Sequence, residues 1–177
     1  MSEFGTFTKP GTVRLERLLP GPIERIWAYL TEPDKRAVWL AGGPMELRVG
    51  GRVELQFHHA DLSAEKTPPP KYRGCEGGVS MIGEVTRCDP PRLLAYTWNN
   101  DGKSSEVTFE LAPQGSKVLL VITHRLPPDM GLITSVSGGW HTHVDLLMDH
   151  LEGREPRPFW TSHAEAAAEY ARRLAGS

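Results

Sequence analysis

The feature that most constrains this chain of 177 residues is a region from residue 45 to residue 126 in which apolar side chains recur at every second position. This period is typical of β-strands, whose successive side chains point to opposite faces of a sheet. Turn sequences rich in Pro, Asn, Asp and Gly, such as Asn100-Asp101-Gly102, interrupt the pattern. The sequence therefore predicts an antiparallel sheet that opens with a hairpin and has six consecutive strands, at 46–49, 52–59, 79–88, 92–99, 104–112 and 117–126.

A strand and two short helices are predicted before this region. Residues 12–18 alternate between apolar and polar side chains, which indicates a first strand. Apolar residues within 23–30 recur at i, i+3, i+4 and i+7, the spacing of a buried helix face, and Pro22 suits the first turn of that helix. A second short helix is expected at 34–40, directly after Pro33.

An amphipathic segment follows the strands. From Trp140, apolar residues recur at i, i+4, i+7 and i+11, which predicts one long helix from Gly138 to about Glu152. The diglycine at its start is expected to be flexible, with Ser135 and Ser137 as caps. Only this helix is long enough to cover one face of the sheet.

Two segments, 61–78 and 154–177, lie outside this framework of strands and helices. The first is rich in Pro and Gly and is predicted to be an irregular, mobile loop. The second is predicted to be a helical extension, because Ser162 and Glu165 form a capping box before a narrow apolar face. Gly153 is placed to cap the long helix at its C-terminus.

Length and composition indicate a single domain, 1–177, that acts on neither nucleic acid nor membranes. The chain is long enough for a full core, and its formal net charge of −2 gives no attraction for nucleic acid or anionic lipid. No apolar run approaches the roughly 18 residues of a membrane span, and 1–10 lacks a signal-peptide pattern, so we expect a cytoplasmic protein. Cys75 and Cys88 lack CxxC spacing and are expected to be reduced thiols.

The order of strand, two short helices, six strands and long helix predicts an α+β fold. A curved antiparallel sheet of about six to seven strands would wrap around the long C-terminal helix, with the two short helices after the first strand. Curling of this kind leaves a space between the concave face and the helix. Side chains fill that space, or a ligand occupies it.

Several short motifs carry a resemblance to a known family: Glu32-Pro33-Asp34 through Trp39, Val49-Gly50-Gly51, Gly83-Glu84-Val85, Asp89-Pro90-Pro91-Arg92-Leu93, Tyr96-Thr97-Trp98, Thr123-His124 and Gly139-Trp140. In this order and spacing, the chain resembles the START/birch-pollen-allergen-like (SRPBCC) superfamily. Within it, the chain is similar to the branch that contains the C-terminal domain of activators of the heat-shock protein 90 ATPase. The resemblance implies a helix-grip fold with an internal cavity. It implies no reaction, since the branch offers no shared catalytic motif.

The histidines of the long helix do not predict a metal site. On a helix, His141 and His143 point about 200° apart, while His143 and His150 lie about 10 Å apart along the axis, so neither pair holds one ion. The i, i+4 pair of His141 and Asp145 would need a third ligand from the sheet. Neither a metal nor a cofactor is therefore predicted.

We expect non-enzymatic binding of a small, mostly apolar molecule in the space between sheet and helix. Two alternatives remain open: a chaperone-associated interaction module, related to stress, and a cyclase, aromatase or hydrolase that acts on the bound ligand through a histidine. Binding is favoured over catalysis because the chain has no GxSxG elbow and no P-loop. His124, His141 or Tyr96 would orient the ligand. The expected ligand contacts are Trp39, Leu55, Phe57, His59, Tyr96, Phe109, His124, Trp140, His141, Val144 and Met148.

The outer face of the sheet suggests a further contact. Leu119 and Val121 alternate with inward residues on the last strand and would leave apolar area on the convex face. Either a homodimer contact or the segment from Phe4 to Phe7 is expected to cover it.

Overall fold

The computed structural model describes residues 3–100 and 103–176. Within that part of the chain, a sheet is formed by the strands β1 Thr6–Lys9, β2 Thr12–Pro20, β3 Arg52–Phe57, β4 Val79–Asp89, β5 Leu93–Asn100, β6 Lys103–Gln114 and β7 Lys117–Arg125. The α-helices are α1 Ile23–Thr31, α2 Pro33–Ala37, α3 Met130–Leu151 and α4 Phe159–Ala175. None of these helices combines the length and the apolar run that a bilayer span requires.

The seven strands pair antiparallel in the order β1-β2-β7-β6-β5-β4-β3. Their register places apolar residues in rows across the sheet: Leu15 is opposite Ile122, Ile122 opposite Phe109, and Phe109 opposite Leu94. All four are at most 2% exposed, because this face packs against α3. The predicted α+β helix-grip fold is therefore confirmed.

The sheet differs from the prediction at both edges. The predicted strand at 46–49 is wrong, because the chain turns there, and the segment before it forms only isolated bridges, Gly42 to Gln56 and Met45 to Val53, among the described residues. Gly50 adopts a positive φ of 83° and bonds to the Val85 carbonyl, which takes the segment out of the ladder. The seventh strand is instead β1 at the N-terminus, whose four residues are too few for a visible period. The turn predicted at 100–102 lies partly outside the described residues.

The long helix begins eight residues earlier than the sequence pattern predicts. Asp129 is its N-terminal cap and accepts a hydrogen bond from Leu132 N at 3.0 Å. Ser135 and Ser137 are therefore not caps but lie inside α3, where the Ser137 hydroxyl donates to a carbonyl one turn back. At the other end, Gly153 follows the helix with a φ of 69°, as predicted.

The diglycine lies inside α3 and not at its start, and its first residue serves helix packing. Gly138 lies within α3, and a Cβ atom added there would meet backbone and side-chain atoms of Ala167 at 3.1 Å. The missing side chain thus lets α4 approach α3 closely. Gly139, one position on, has open space where its Cβ would be.

The extension and the long loop form one unit. The predicted capping box at Ser162 is wrong, since α4 begins at Phe159. The first backbone N–H groups of α4 are instead satisfied from the loop: Phe159 N donates to Ser63 Oγ at 3.1 Å and Thr161 N to Glu65 Oε2 at 2.9 Å. The loop also contains a short 3₁₀ segment, Pro70–Cys75.

A buried arginine fixes the connection between α2 and β3. Arg36 is 0% exposed, and no carboxylate in the described part of the chain pairs with it. Its guanidinium donates to the carbonyls of Ala41 at 2.9 Å, Thr31 at 3.1 Å and Gly42 at 3.3 Å, and also to that of Gly43. Burial lowers the pKa of Arg36 from its ordinary value.

Replacing Arg36 by Met should lower the free energy of unfolding by more than about 3 kcal/mol, because several buried carbonyls lose their donors at about 1–3 kcal/mol each. The free energy of unfolding of Arg36→Lys should lie between those of Arg36→Met and the unaltered chain, since an ammonium group offers three donors but lacks the planar geometry of a guanidinium. Guanidinium unfolding followed by tryptophan fluorescence measures both.

Lys35→Met is the matched control, because Lys35 is exposed and its ion-pair partner among the described residues is the exposed Glu32. We expect it to change the free energy by less than about 0.5 kcal/mol. Equal stability of Arg36→Met and Lys35→Met would contradict the role given to Arg36.

Candidate functional site

A partly open cavity of about 420 Å³ lies between the first half of α3, the ends of β3, β4 and β5, the long loop and the start of α4. Its lining residues are mostly aromatic or aliphatic, with neutral polar side chains between them. Among the described residues, the lining consists of Leu40, Phe57, His59, Tyr72, Cys75, Val79, Ser80, Met81, Trp98, Asn99, Ser135, Val136, Gly139, Trp140, His143, Phe159, Trp160 and His163. No Asp, Glu, Lys or Arg belongs to this lining.

Aromatic rings form opposite walls of the cavity. On the sheet side, Trp98 meets Trp140 of α3 edge to face, with ring centroids 5.2 Å apart. On the other side, Tyr72 of the loop stacks on Trp160 of α4 at 5.3 Å and 22°. The Tyr72 hydroxyl and the Ser135 hydroxyl are hydrogen-bonded at 3.1 Å, which joins the loop to α3.

A chain of hydrogen bonds fixes the two tryptophans. The Trp140 indole N–H donates to His124 Nδ1 at 2.8 Å, so the proton of this imidazole is on Nε2. His124 Nε2 then donates to Ser105 Oγ at 2.8 Å, and that hydroxyl donates to the Trp98 carbonyl at 2.9 Å. His124 is 0% exposed, and burial lowers its pKa to about 3. The imidazole is thus neutral and fully bonded within the protein.

Three further histidines surround Phe159 at the α4 end. The ring centroids of His143, His59 and His163 lie 5.0, 5.2 and 6.1 Å from that of Phe159. His143 Nδ1 donates to the Trp39 carbonyl at 2.7 Å, and His163 Nε2 to the Ser135 carbonyl at 3.3 Å. Burial lowers the pKa of His143 to about 3 and of His59 to about 4, and it also lowers the pKa of His163. All three rings are therefore neutral near pH 7.

Three of the eleven expected ligand contacts line the cavity: Phe57, His59 and Trp140. His59 does so from a 3₁₀ turn at His59–Asp61, because β3 ends at Phe57 and not at the predicted residue 59. The ligand role of all eleven stays a prediction.

The other eight expected contacts lie elsewhere in the described structure. Most of them fill the core beneath the cavity, packed between sheet and helices: Trp39, Leu55, Tyr96, Phe109, His124 and Val144. Met148 lies at a separate charged cleft beside Arg17 and Asp149. Tyr96 is buried and belongs to the core together with Leu94 and Trp98, so the β5 face that these three residues share points inward.

His141 faces α4 and not the cavity. Its ring stacks on Phe4 with centroids 4.5 Å apart, and its Nδ1 is hydrogen-bonded to the Tyr170 hydroxyl at 3.1 Å. Its Nε2 lies 3.5 Å from the Asp145 carboxylate, which itself pairs with Arg17 at 3.3 Å. Burial lowers the pKa of His141 to about 4, although Asp145 opposes the shift. The role of this histidine in the structure is to seat α4 and the N-terminal segment on α3.

Several lining residues were absent from the sequence prediction. Tyr72 comes from the long loop, and Phe159, Trp160 and His163 come from the extension. The adjacent aromatic pair at 159–160, in an otherwise polar segment, is the one signal that pointed to a buried role.

Metal binding finds no support in the geometry. The described residues contain no group of three or more His, Cys, Asp or Glu side chains placed to hold an ion. Cys75 and Cys88 are free thiols, as predicted.

Comparison with known proteins gives the family. The family described as Activator of Hsp90 ATPase homolog 1-like protein matches residues 20–152. The chain belongs to this family. No curated protein matches the chain.

Several solved structures have the same fold as this chain. The NMR structure of the protein encoded by gene BPP1335 from Bordetella parapertussis is 44% identical, with a TM-score of 0.82, covering 96% of this chain and 90% of that one. CalU16 from Micromonospora echinospora is 22% identical, with a TM-score of 0.68 and coverage of 93% and 86%. DynU16, a putative protein of the dynemicin biosynthetic locus, is 19% identical, with a TM-score of 0.61 and coverage of 85% and 50%. The last two show the fold alone.

The buried histidines predict that acid destabilises the protein well above the range where carboxylates titrate. In the unfolded chain a histidine has a pKa of 6.5, whereas burial holds the pKa of His124 and His143 at about 3. Below pH 6.5 the unfolded state binds more protons, so stability is complete above this pH and falls as the pH falls, by up to about 1.4 kcal/mol per pH unit for each such group. Guanidinium unfolding midpoints at about pH 7 and about pH 5 measure the loss.

One variant tests the origin of this loss. His143→Asn, whose amide can still donate to the Trp39 carbonyl, removes one buried imidazole and should flatten the pH dependence. A midpoint of the unaltered chain that is equal at both pH values would show that this interpretation is wrong.

Proposed function

We propose that this chain is a non-enzymatic binding protein that holds a small, mostly apolar molecule in the aromatic cavity between the sheet, α3 and α4. The observation that carries the proposal is the chemistry of the wall, which is rich in aromatic rings and lacks ionisable carboxylate, ammonium and guanidinium groups among its described residues. A cavity of this size is within the range of small-molecule sites.

Desolvation would supply the affinity. Burying about 300 Å² of apolar surface at about 25 cal/mol/Å² gives roughly 7 kcal/mol before the costs of association. These costs leave micromolar binding as the expected strength in the absence of strong polar contacts.

The polar groups of the wall support binding over catalysis. A general base needs a neighbour that orients it, commonly a carboxylate. In the described wall, the imidazoles of His143 and His163 are oriented by backbone carbonyls, and the Tyr72 and Ser135 hydroxyls bond to each other. An activity as cyclase, aromatase or hydrolase would require the ligand to bring its own reactive group to these neutral side chains.

Filling the cavity from Gly139 tests the proposal. This residue lines the cavity and has open space at its Cβ position, so Gly139→Leu adds a larger side chain at the cavity wall. With naphthalene as the probe, quenching of tryptophan fluorescence should give micromolar binding to the unaltered chain. We expect Gly139→Leu to weaken it by about tenfold or more, since a difference of about 1.4 kcal/mol suffices.

Gly139→Ala is the matched control, because it changes the same helix position and adds a single methyl group. Its affinity for naphthalene should stay within about threefold, and its thermal stability should rise through better helix propensity. If the unaltered chain does not bind naphthalene, or if Gly139→Leu binds it as well as Gly139→Ala, the proposal is wrong.

The family match supports a second candidate, contact with a chaperone of the Hsp90 type. The test is ATP turnover by a purified ATPase of that type, which this chain should stimulate severalfold at micromolar concentration. Unchanged turnover would exclude activation. A stress-related role, a cytoplasmic location and a homodimer are further proposals. The segment from Phe4 to Phe7, which was the alternative to a homodimer as cover for the convex face, packs in the structure on Tyr170 of α4 through both phenylalanines.

A further inference from the structure

Two buried nitrogens in the cavity wall have no hydrogen-bond partner. In the described part of the chain, the buried side-chain nitrogens without a partner are His59 Nδ1, Trp160 Nε1 and His150 Nε2. The first two belong to rings that line the cavity and lie next to each other, with centroids 5.1 Å apart. Because an unmet buried polar group costs free energy, two such groups side by side in one wall indicate a missing polar partner.

The two nitrogens call for complementary hydrogen bonds, which one ligand group can supply. The indole N–H of Trp160 can only donate, whereas a neutral imidazole with its proton on Nε2 accepts at Nδ1. A hydroxyl accepts from the first and donates to the second at the same time. With this tautomer, a carbonyl or ether oxygen would leave His59 Nδ1 unmet, because it only accepts.

The rest of the wall restricts the ligand further. A carboxylate, phosphate or ammonium group would find no opposite charge in the described lining, and burying it unpaired is costly. The near-parallel ring pairs, Tyr72 on Trp160 at 22° and Phe57 on His59 at 11°, present flat faces. Flat faces favour a planar aromatic ligand.

We propose that the ligand is an uncharged, planar aromatic molecule with a hydroxyl group, such as a phenol or a naphthol, and that the hydroxyl bridges Trp160 Nε1 and His59 Nδ1. This assignment rests on the proposed function, since it names the chemical class held by the same cavity. Both nitrogens are closed to solvent in the present arrangement. Binding therefore requires a neighbouring side chain to move, and Tyr72, which stacks on Trp160 and is hydrogen-bonded to Ser135, is in contact with one of the two rings.

Neutrality of His59 is consistent with this bridge. Burial lowers its pKa to about 4, and the neighbouring imidazoles of His163 and His58 act in the same direction. The ring therefore keeps a lone pair for the hydroxyl proton at neutral pH.

Three probes of equal ring size test the assignment by tryptophan fluorescence or calorimetry: naphthalene, 2-naphthol and 2-naphthoate. On the unaltered chain, 2-naphthol should bind about threefold to tenfold more tightly than naphthalene, the gain expected from net hydrogen bonding. 2-Naphthoate should bind more weakly than naphthalene, because its carboxylate is charged at neutral pH.

Ring-preserving variants locate the hydroxyl. His59→Phe and Trp160→Phe each remove one bridging nitrogen, so the preference for 2-naphthol over naphthalene should fall toward one. His163→Phe is the matched control: it removes a cavity imidazole that already bonds to the Ser135 carbonyl, and the preference should remain. Within each variant, the affinity for 2-naphthol is divided by the affinity for naphthalene. A change in cavity size affects both probes alike and therefore cancels in this ratio.

The outcomes separate this inference from the proposed function. Naphthalene binding with no preference for 2-naphthol overturns the hydroxyl assignment and leaves the proposed function standing. Tightest binding of 2-naphthoate also overturns the assignment. Failure of all three probes on the unaltered chain overturns both, and this ligand series decides the matter even if a variant does not fold.

Discussion

The hydrogen-bond chain from Trp140 through His124 and Ser105 to the Trp98 carbonyl is the constraint on which the cavity depends. Apolar packing holds α3 on the concave sheet but is non-directional, so it specifies neither the depth nor the rotation of the helix. This series of hydrogen bonds crosses β5, β6 and β7. Because each donor in it has a single acceptor, it is satisfied by one position of α3 relative to the sheet. It also explains why a histidine lies in the row of apolar residues that runs through Val13, Val107 and Tyr96.

The sequence predicted secondary structure correctly wherever one side of an element is buried and the other is exposed to solvent. Period-two alternation therefore predicted β2 and β3 to β7, with ends that differ by a few residues, and the helical period predicted α1 and the second half of α3. It was misleading at His141 and Asp145, because α3 is buried on two sides there. The pattern predicted one apolar face against the sheet, whereas the opposite, polar face lies beneath α4 and is satisfied by ion pairs and the Tyr170 hydroxyl.

The cavity was beyond sequence reasoning for a different reason. Its outer wall depends on contacts between the loop and the extension, such as Ser63 with Phe159, which lie 96 residues apart. Neither segment has a period or a motif that names the other. The three tryptophans of the wall could be identified as large apolar residues, but which of them surround an open space depends on how two irregular segments meet.

The close seating of α4 on Gly138 has a consequence for the cavity. The family match ends at residue 152, so the helix that supplies Phe159, Trp160 and His163 lies outside it. The other described lining residues lie within the match, so the cavity combines the common framework with this extension. A side chain at Gly138 that displaced α4 would therefore reshape one wall of the cavity and leave the sheet untouched.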